Sequence, residues 1–279
     1  MIWAFSFGLI GSRLSEVDSV FVATLRLCLA SLLLLPFLKL GDLSKRDLRR
    51  LPLYGAIQFG LMYVAYIQAF EYLPSYLVAL FSVLTPVYVV LFHDLRHRSW
   101  SPRYFFAALL SVGGAAFIRA ASPSDHEIWI GFLLMQLAGV SFAFGQVAYR
   151  DWKRQRPHIA DQDCFFLLYA GGLAFALISS LFLTDWRALP TDKGQWLALL
   201  YLGLVASGCG FFFWNKGAAQ VTPGVLGAYN NAVVPLAIFF SLFLFGEASE
   251  FTFEACGRLI GGSGLVLSAV WVGQDGRAC

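Results

Sequence analysis

Three consecutive polar residues, Tyr229, Asn230 and Asn231, and then Pro235 interrupt an apolar run that extends from Val225 to Phe245. The preceding apolar run carries Trp214 and Asn215, and the turn Thr222-Pro223-Gly224 joins the two. Amides and aromatic rings bind neutral, zwitterionic or flat solutes without the desolvation cost of a buried charge. Successive helical positions turn by about 100°, so Tyr229, Asn230 and Asn231 cannot all face lipid. Trp3, Tyr63, Tyr66 and Gln146 complete the set of polar aromatics and amides inside apolar runs. Taken singly, each is accounted for by packing. Together they suggest the lining of a substrate cavity.

Arg26 is the one cation well inside an apolar run. A charge at the centre of a membrane helix costs about 2.5–3.5 kcal/mol on insertion scales. Either it snorkels or pairs with Glu16 or Asp18, or it contacts a substrate carboxylate or a gate. Glu71 and Glu247 end two apolar runs, where they are either interfacial acids or proton acceptors for coupling.

Covalent chemistry finds less support. Gly261-Gly262-Ser263-Gly264 matches the glycine-x-serine-glycine of intramembrane serine proteases, but that chemistry needs a base within reach of the serine. The four histidines, His93, His97, His126 and His158, all fall at the ends of apolar runs or between them. Five scattered cysteines form no CxxC and have no histidine nearby, so neither a metal site nor a disulfide framework is expected. No cofactor motif is present.

The elements that must position these residues are membrane helices. Of 279 residues 58% are hydrophobic and 13% charged, about half the charge of a soluble domain, and the mean hydropathy is +0.68. With spans of roughly 20 apolar residues, helices are expected at 1–12, 19–39, 52–73, 75–93, 102–120, 128–149, 163–184, 195–216, 223–246 and 251–272. The fold class is therefore an all-α membrane protein. The basic residues lie in connections and the net charge is only +3, so nucleic acid is not a partner; the lipid bilayer is.

The chain repeats itself. Gly55 and Gly60 recur as Gly203 and Gly208, Tyr66-Ile67-Gln68 as Trp214-Asn215-Lys216, and Pro86 as Pro235. Residues 1–121 and 128–272 then form two five-helix repeats, and because five is odd the second is inverted. Interrupted helices at matched positions are the sign of a secondary transporter with its site at the repeat interface. Matched prolines free backbone carbonyls and suit hinges at Pro86 and Pro235; a static kink is the structural alternative. Fourteen of the twenty Lys and Arg fall on one side of this arrangement and five on the other, which puts both termini in the cytoplasm. Aligning Phe5-Ser6-Phe7-Gly8 with Phe142-Ala143-Phe144-Gly145 leaves the first helix short, and a natural start upstream is expected.

Three segments carry a family resemblance: Ile2-Trp3-Ala4-Phe5-Ser6-Phe7, Leu25-Arg26-Leu27, and the stretch from Pro235 to Leu244-Phe245-Gly246-Glu247. They resemble the drug/metabolite transporter superfamily, specifically its EamA-type ten-helix members. The resemblance implies two inverted repeats around a central cavity drawing on Trp3, Tyr66, Trp214 and the surroundings of Pro86 and Pro235. It also implies export of amino acids, amines, drugs or other metabolites across the plasma (inner) membrane, with protons as a possible coupling ion, although the superfamily includes importers. The first helix lacks its N-terminal half, and Phe92-His93-Asp94 stands where the family often has Gly-Glu. The expected function is a secondary transporter of small organic solutes, an exporter of amino acids or related metabolites acting by alternating access as a monomer or homodimer. The alternatives are a drug or cation effluxer and an integral-membrane enzyme.

Overall fold

The computed structural model describes residues 2–117, 126–233, 236 and 253–274. Among the described residues the secondary structure is entirely helical. Joined where consecutive helical turns abut, the helices are α1 (Ile2–Arg13), α2 (Ser19–Phe37), α3 (Lys45–Glu71), α4 (Ser75–His97), α5 (Pro102–Phe117), α6 (His126–Arg154), α7 (Asp161–Leu183), α8 (Lys193–Ala218), α9 (Pro223–Asn231) and α10 (Phe253–Gly273). Six of them, α2, α3, α4, α6, α7 and α8, are long and apolar enough to cross a membrane. Pro235 and Glu247 lie outside the described residues.

Several helices outrun their apolar stretches. α3 begins at Lys45, seven residues before Pro52, because Ser44 and Asp47 form a reciprocal capping box that satisfies the first free amides. α6 continues to Arg154, past the expected end near 149, and α4 to His97. An apolar run measures the thickness of hydrocarbon, whereas the helix continues into water wherever caps and ion pairs support it. Asp47 accepts from the Trp152 indole (2.8 Å) and pairs with Arg156 (2.9 Å), and Arg96 pairs with Asp151 (2.7 Å). The connection from α1 to α2 meets that from α7 to α8 at the opposite end, where the Asp18 amide donates to Ala188 O (2.8 Å) and the Asp185 amide to the Asp18 carboxylate (2.9 Å).

The core is built by α2, α3, α7 and α8. Leu27, Leu51, Phe59, Phe165, Leu168, Leu199 and Leu202 are fully buried there, while Leu181 and Phe182 on α7 are 74% and 81% exposed, as a lipid-facing surface requires. Glycine sets how close the central helices come. A Cβ at Gly55 would lie 1.8 Å from Leu168 O, and one at Gly171 the same distance from Pro52 O, so α3 and α7 touch backbone to backbone. Gly203 and Gly208 instead face the side chains of Leu29 and Leu33 on α2.

Two of these helices carry π-helical stretches, at Ala56–Leu61 in α3 and Tyr201–Cys209 in α8. Each holds the second glycine of its pair. A π turn leaves carbonyls in need of outside donors. In α8 the Trp3 indole donates to Ala206 O (2.9 Å) and the Tyr169 hydroxyl to Ser207 O (2.5 Å).

Candidate functional site

A cavity of about 670 Å³ opens between α1, α2, α3, α4, α6, α8 and α9. One wall is aromatic. Trp3 lies 4.4 Å from Phe211 and 4.9 Å from Trp214 between ring centroids, and Phe142 packs edge-on against Trp3 at 6.1 Å. Offset and edge-on pairs of this kind add about 0.5–1.5 kcal/mol each beyond area burial and hold the rings rigid.

The polar groups form two clusters. In the first, the Trp214 indole donates to Gln146 Oε1 (3.0 Å), and the Asn230 amide donates to the same oxygen (3.2 Å) and to Leu226 O (2.9 Å). Gln146 is completely buried behind Trp214 and Asn230, both of which line the cavity. In the second, Arg26 Nε donates to Ser207 Oγ (3.2 Å), Arg26 Nη2 donates to the Tyr63 hydroxyl (3.0 Å), and Tyr63 and Ser207 share a hydrogen bond of 2.8 Å. The guanidinium carbon sits 4.5 Å from the centroid of the Tyr63 ring.

Of the residues singled out from the sequence, Trp3, Tyr63, Tyr66, Trp214, Tyr229, Asn230 and Arg26 line this cavity. Asn215 and Asn231 do not. Asn215 is buried in a pair with Gln58, whose Nε2 donates to its Oδ1 (3.0 Å). Asn231 crosses from α9 to donate to Val83 O (2.9 Å) in the tight turn Ser82–Leu84 that precedes Pro86. Pro86 lacks an amide, and the Ser82 carbonyl is taken instead by the Thr85 hydroxyl (2.7 Å). α4 is therefore broken beside the cavity, with Ser82 and Thr85 in its wall. Glu71 is exposed on a smaller cavity of about 220 Å³ with Ser19 and Ser75. Arg26 pairs with neither acid suggested for it: Asp18 caps α2 through the Phe21 amide (2.7 Å), and Glu16 is exposed.

Sequence reasoning missed Phe142, Phe211, Ser207 and Gln58. Phe142 already stood in the repeat alignment opposite Phe5, and Ser207 stands beside the matched Gly208, which is the only signal either offered.

Among the described residues, a helical bundle with six membrane-length helices around an aromatic and amide cavity is the architecture of a multi-pass integral membrane protein. The model of the EamA-like transporter family matches residues 1–120 and 127–270, and the chain belongs to that family. It is 38% identical over 276 residues to a protein of Salmonella typhimurium named "Biotin transporter", the match covering 98% of this chain and 89% of that one. A "Biotin transporter" of Escherichia coli K12 is 37% identical over the same coverage. A "Probable biotin transporter" of Pseudomonas aeruginosa is 38% identical over 279 residues, 99% of this chain and 96% of the relative. A solved structure described as "Crystal structure of protein" shares the fold with a TM-score of 0.70 at 19% identity, covering 96% of this chain and 94% of its own.

Proposed function

We propose that this protein carries biotin, or a close cyclic-urea relative, across the bacterial inner membrane by alternating access between two inverted five-helix repeats whose termini are cytoplasmic. The observation that carries the substrate is the Gln146–Asn230–Trp214 amide network behind an aromatic wall. Biotin offers a flat cyclic urea with two N–H donors and one carbonyl acceptor, fused to an apolar thioether ring. Both amide protons of Asn230 go to Gln146 Oε1 and Leu226 O, while its Oδ1, which accepts from Gln146 Nε2 (3.4 Å), keeps a lone pair for a urea N–H; Trp3, Trp214 and Phe142 suit the face of the ring. The relatives' names favour the same solute. Amino acids and cationic drugs fit less well, because no Asp or Glu lines the cavity among the described residues.

Three features support the alternating-access part. The two π-helical stretches fall at matched places in the two halves, α4 is interrupted beside the cavity by the tight turn Ser82–Leu84 just before Pro86, and the basic ends gather on one face, with Arg156, Arg96 and Arg103 bonded across it.

Counterflow in proteoliposomes tests this without assuming a direction or a coupling ion. Vesicles loaded with unlabelled biotin are expected to accumulate labelled biotin transiently, and loading with amino acids or amines is expected to give nothing. Exchange of amino acids without exchange of biotin overturns the assignment. Net flux under an imposed proton gradient in the same vesicles decides between export, expected from the family resemblance, and uptake.

A further inference from the structure

We propose that Arg26 is the anchor for a carboxylate on the transported solute, so that the cavity selects small monocarboxylic acids and refuses their neutral analogues. The proposal rests on the transport reading above and deepens it.

Arg26 is 2% exposed and lies on the cavity wall. Its surroundings are neutral. Ser207 Oγ also bonds Leu202 O at 2.7 Å. That bond consumes the serine proton, so the Tyr63 hydroxyl gives its own proton to Ser207 and accepts from Nη2. Both hydroxyls are then spent, and each presents only oxygen to the guanidinium. The Tyr66 hydroxyl also lies against the guanidinium and offers it a further neutral oxygen. After these bonds Arg26 Nη1 is buried with no acceptor, and no carboxylate lies within ion-pair distance of the guanidinium among the described residues.

A buried guanidinium held by neutral oxygens keeps its charge uncompensated, which is costly at this depth. A carboxylate in the cavity supplies the counter-charge and takes the free N–H. The guanidinium fork suits a carboxylate oxygen pair, and Tyr63 and Ser207 hold it in place before the anion arrives. The Gln146–Asn230–Trp214 cluster, bridged to Tyr63 by Phe211 and Trp3, then meets the other end of the solute. A solute with an acid at one end and a urea or amide at the other uses both.

The test compares acids with their methyl esters as competitors of counterflow, in the wild type and in Arg26→Gln and Arg26→Lys. For the wild type, biotin is expected to compete about 30-fold better than biotin methyl ester, the worth of one charge-assisted hydrogen-bond set. In Arg26→Gln the ratio is expected to fall to near one, and Arg26→Lys to recover part of it. A purely structural arginine would lower transport of acid and ester together and leave the ratio unchanged, which overturns the proposal. So does a wild type that takes the ester as readily as the acid, a comparison that stands even where the Gln variant does not fold. Should the wild type exchange another carboxylic acid in place of biotin, the biotin assignment fails, and the same ratio measured on that acid still decides on Arg26. Should its substrates prove neutral or cationic, both readings fail.

Discussion

The two π-helical stretches, Ala56–Leu61 in α3 and Tyr201–Cys209 in α8, each hold the second glycine of an equally spaced pair and differ in what stands opposite them. α3 meets α7 backbone to backbone, and its central polar residue, Gln58, is buried against Asn215. α8 meets leucine side chains of α2, and its Ser207 faces Arg26 and Tyr63 at the cavity. A backbone irregularity is thus not a site in itself. In α3 its polarity is consumed by packing; in α8 it meets a buried cation that lines the cavity.

That contrast can be broken most severely at the glycines. Gly171→Val drives side-chain carbons into Pro52 O and is expected to cost more than about 3 kcal/mol, read as loss of folded, monodisperse protein in detergent. Gly203→Ala meets the Leu29 side chain, 2.5 Å from its Cδ1 and 2.7 Å from its Cβ; the Cδ1 can swing away, and relief at the Cβ takes a small shift of α2 rather than a backbone collision. The substitution is expected to cost about 1–2 kcal/mol and to leave a folded carrier. Equal damage from the two would erase the distinction.

Gln146→Leu sharpens the comparison next. It strands the Trp214 indole and the Asn230 amide on the cavity wall, and binding of biotin is expected to weaken by about 30-fold, or 2 kcal/mol, in a direct binding assay. Trp3→Phe keeps the aromatic wall and removes the donor to Ala206 O, so a loss of about 1 kcal/mol in thermal stability is expected, together with a few-fold weaker binding. The smallest effect on the solute is expected at Gln58, buried against Asn215 and outside the cavity lining. Gln58→Leu is expected to cost about 0.6–1.7 kcal/mol of stability, the range for polar pairs between membrane helices, without changing the acid-to-ester ratio.

How far the site was legible follows from particular residues. Trp3, Tyr66, Trp214 and Asn230 stand out in the sequence because polar groups are rare in apolar runs, and they line the cavity. Asn215 and Asn231 carry the same signal yet are sealed in pairs with Gln58 and the Val83 carbonyl. Phe142 and Phe211, central to the aromatic wall, are lost among 27 phenylalanines. Ser207 acquires meaning only beside Arg26.

Composition and run length by themselves determined that this is a membrane protein of apolar helices, since backbone without water must be helical or closed into a barrel. The recurring glycines pointed to the two helices that carry π-helical stretches, at Ala56–Leu61 and Tyr201–Cys209. Which face of each helix looks inward was decided only by the tertiary structure. Lipid and protein interior are equally apolar, so hydrophobic periodicity does not mark the inward face as it does in water. The facing is set by glycine contacts such as Gly55 on Leu168 O, and with it whether an asparagine meets the solute or another helix.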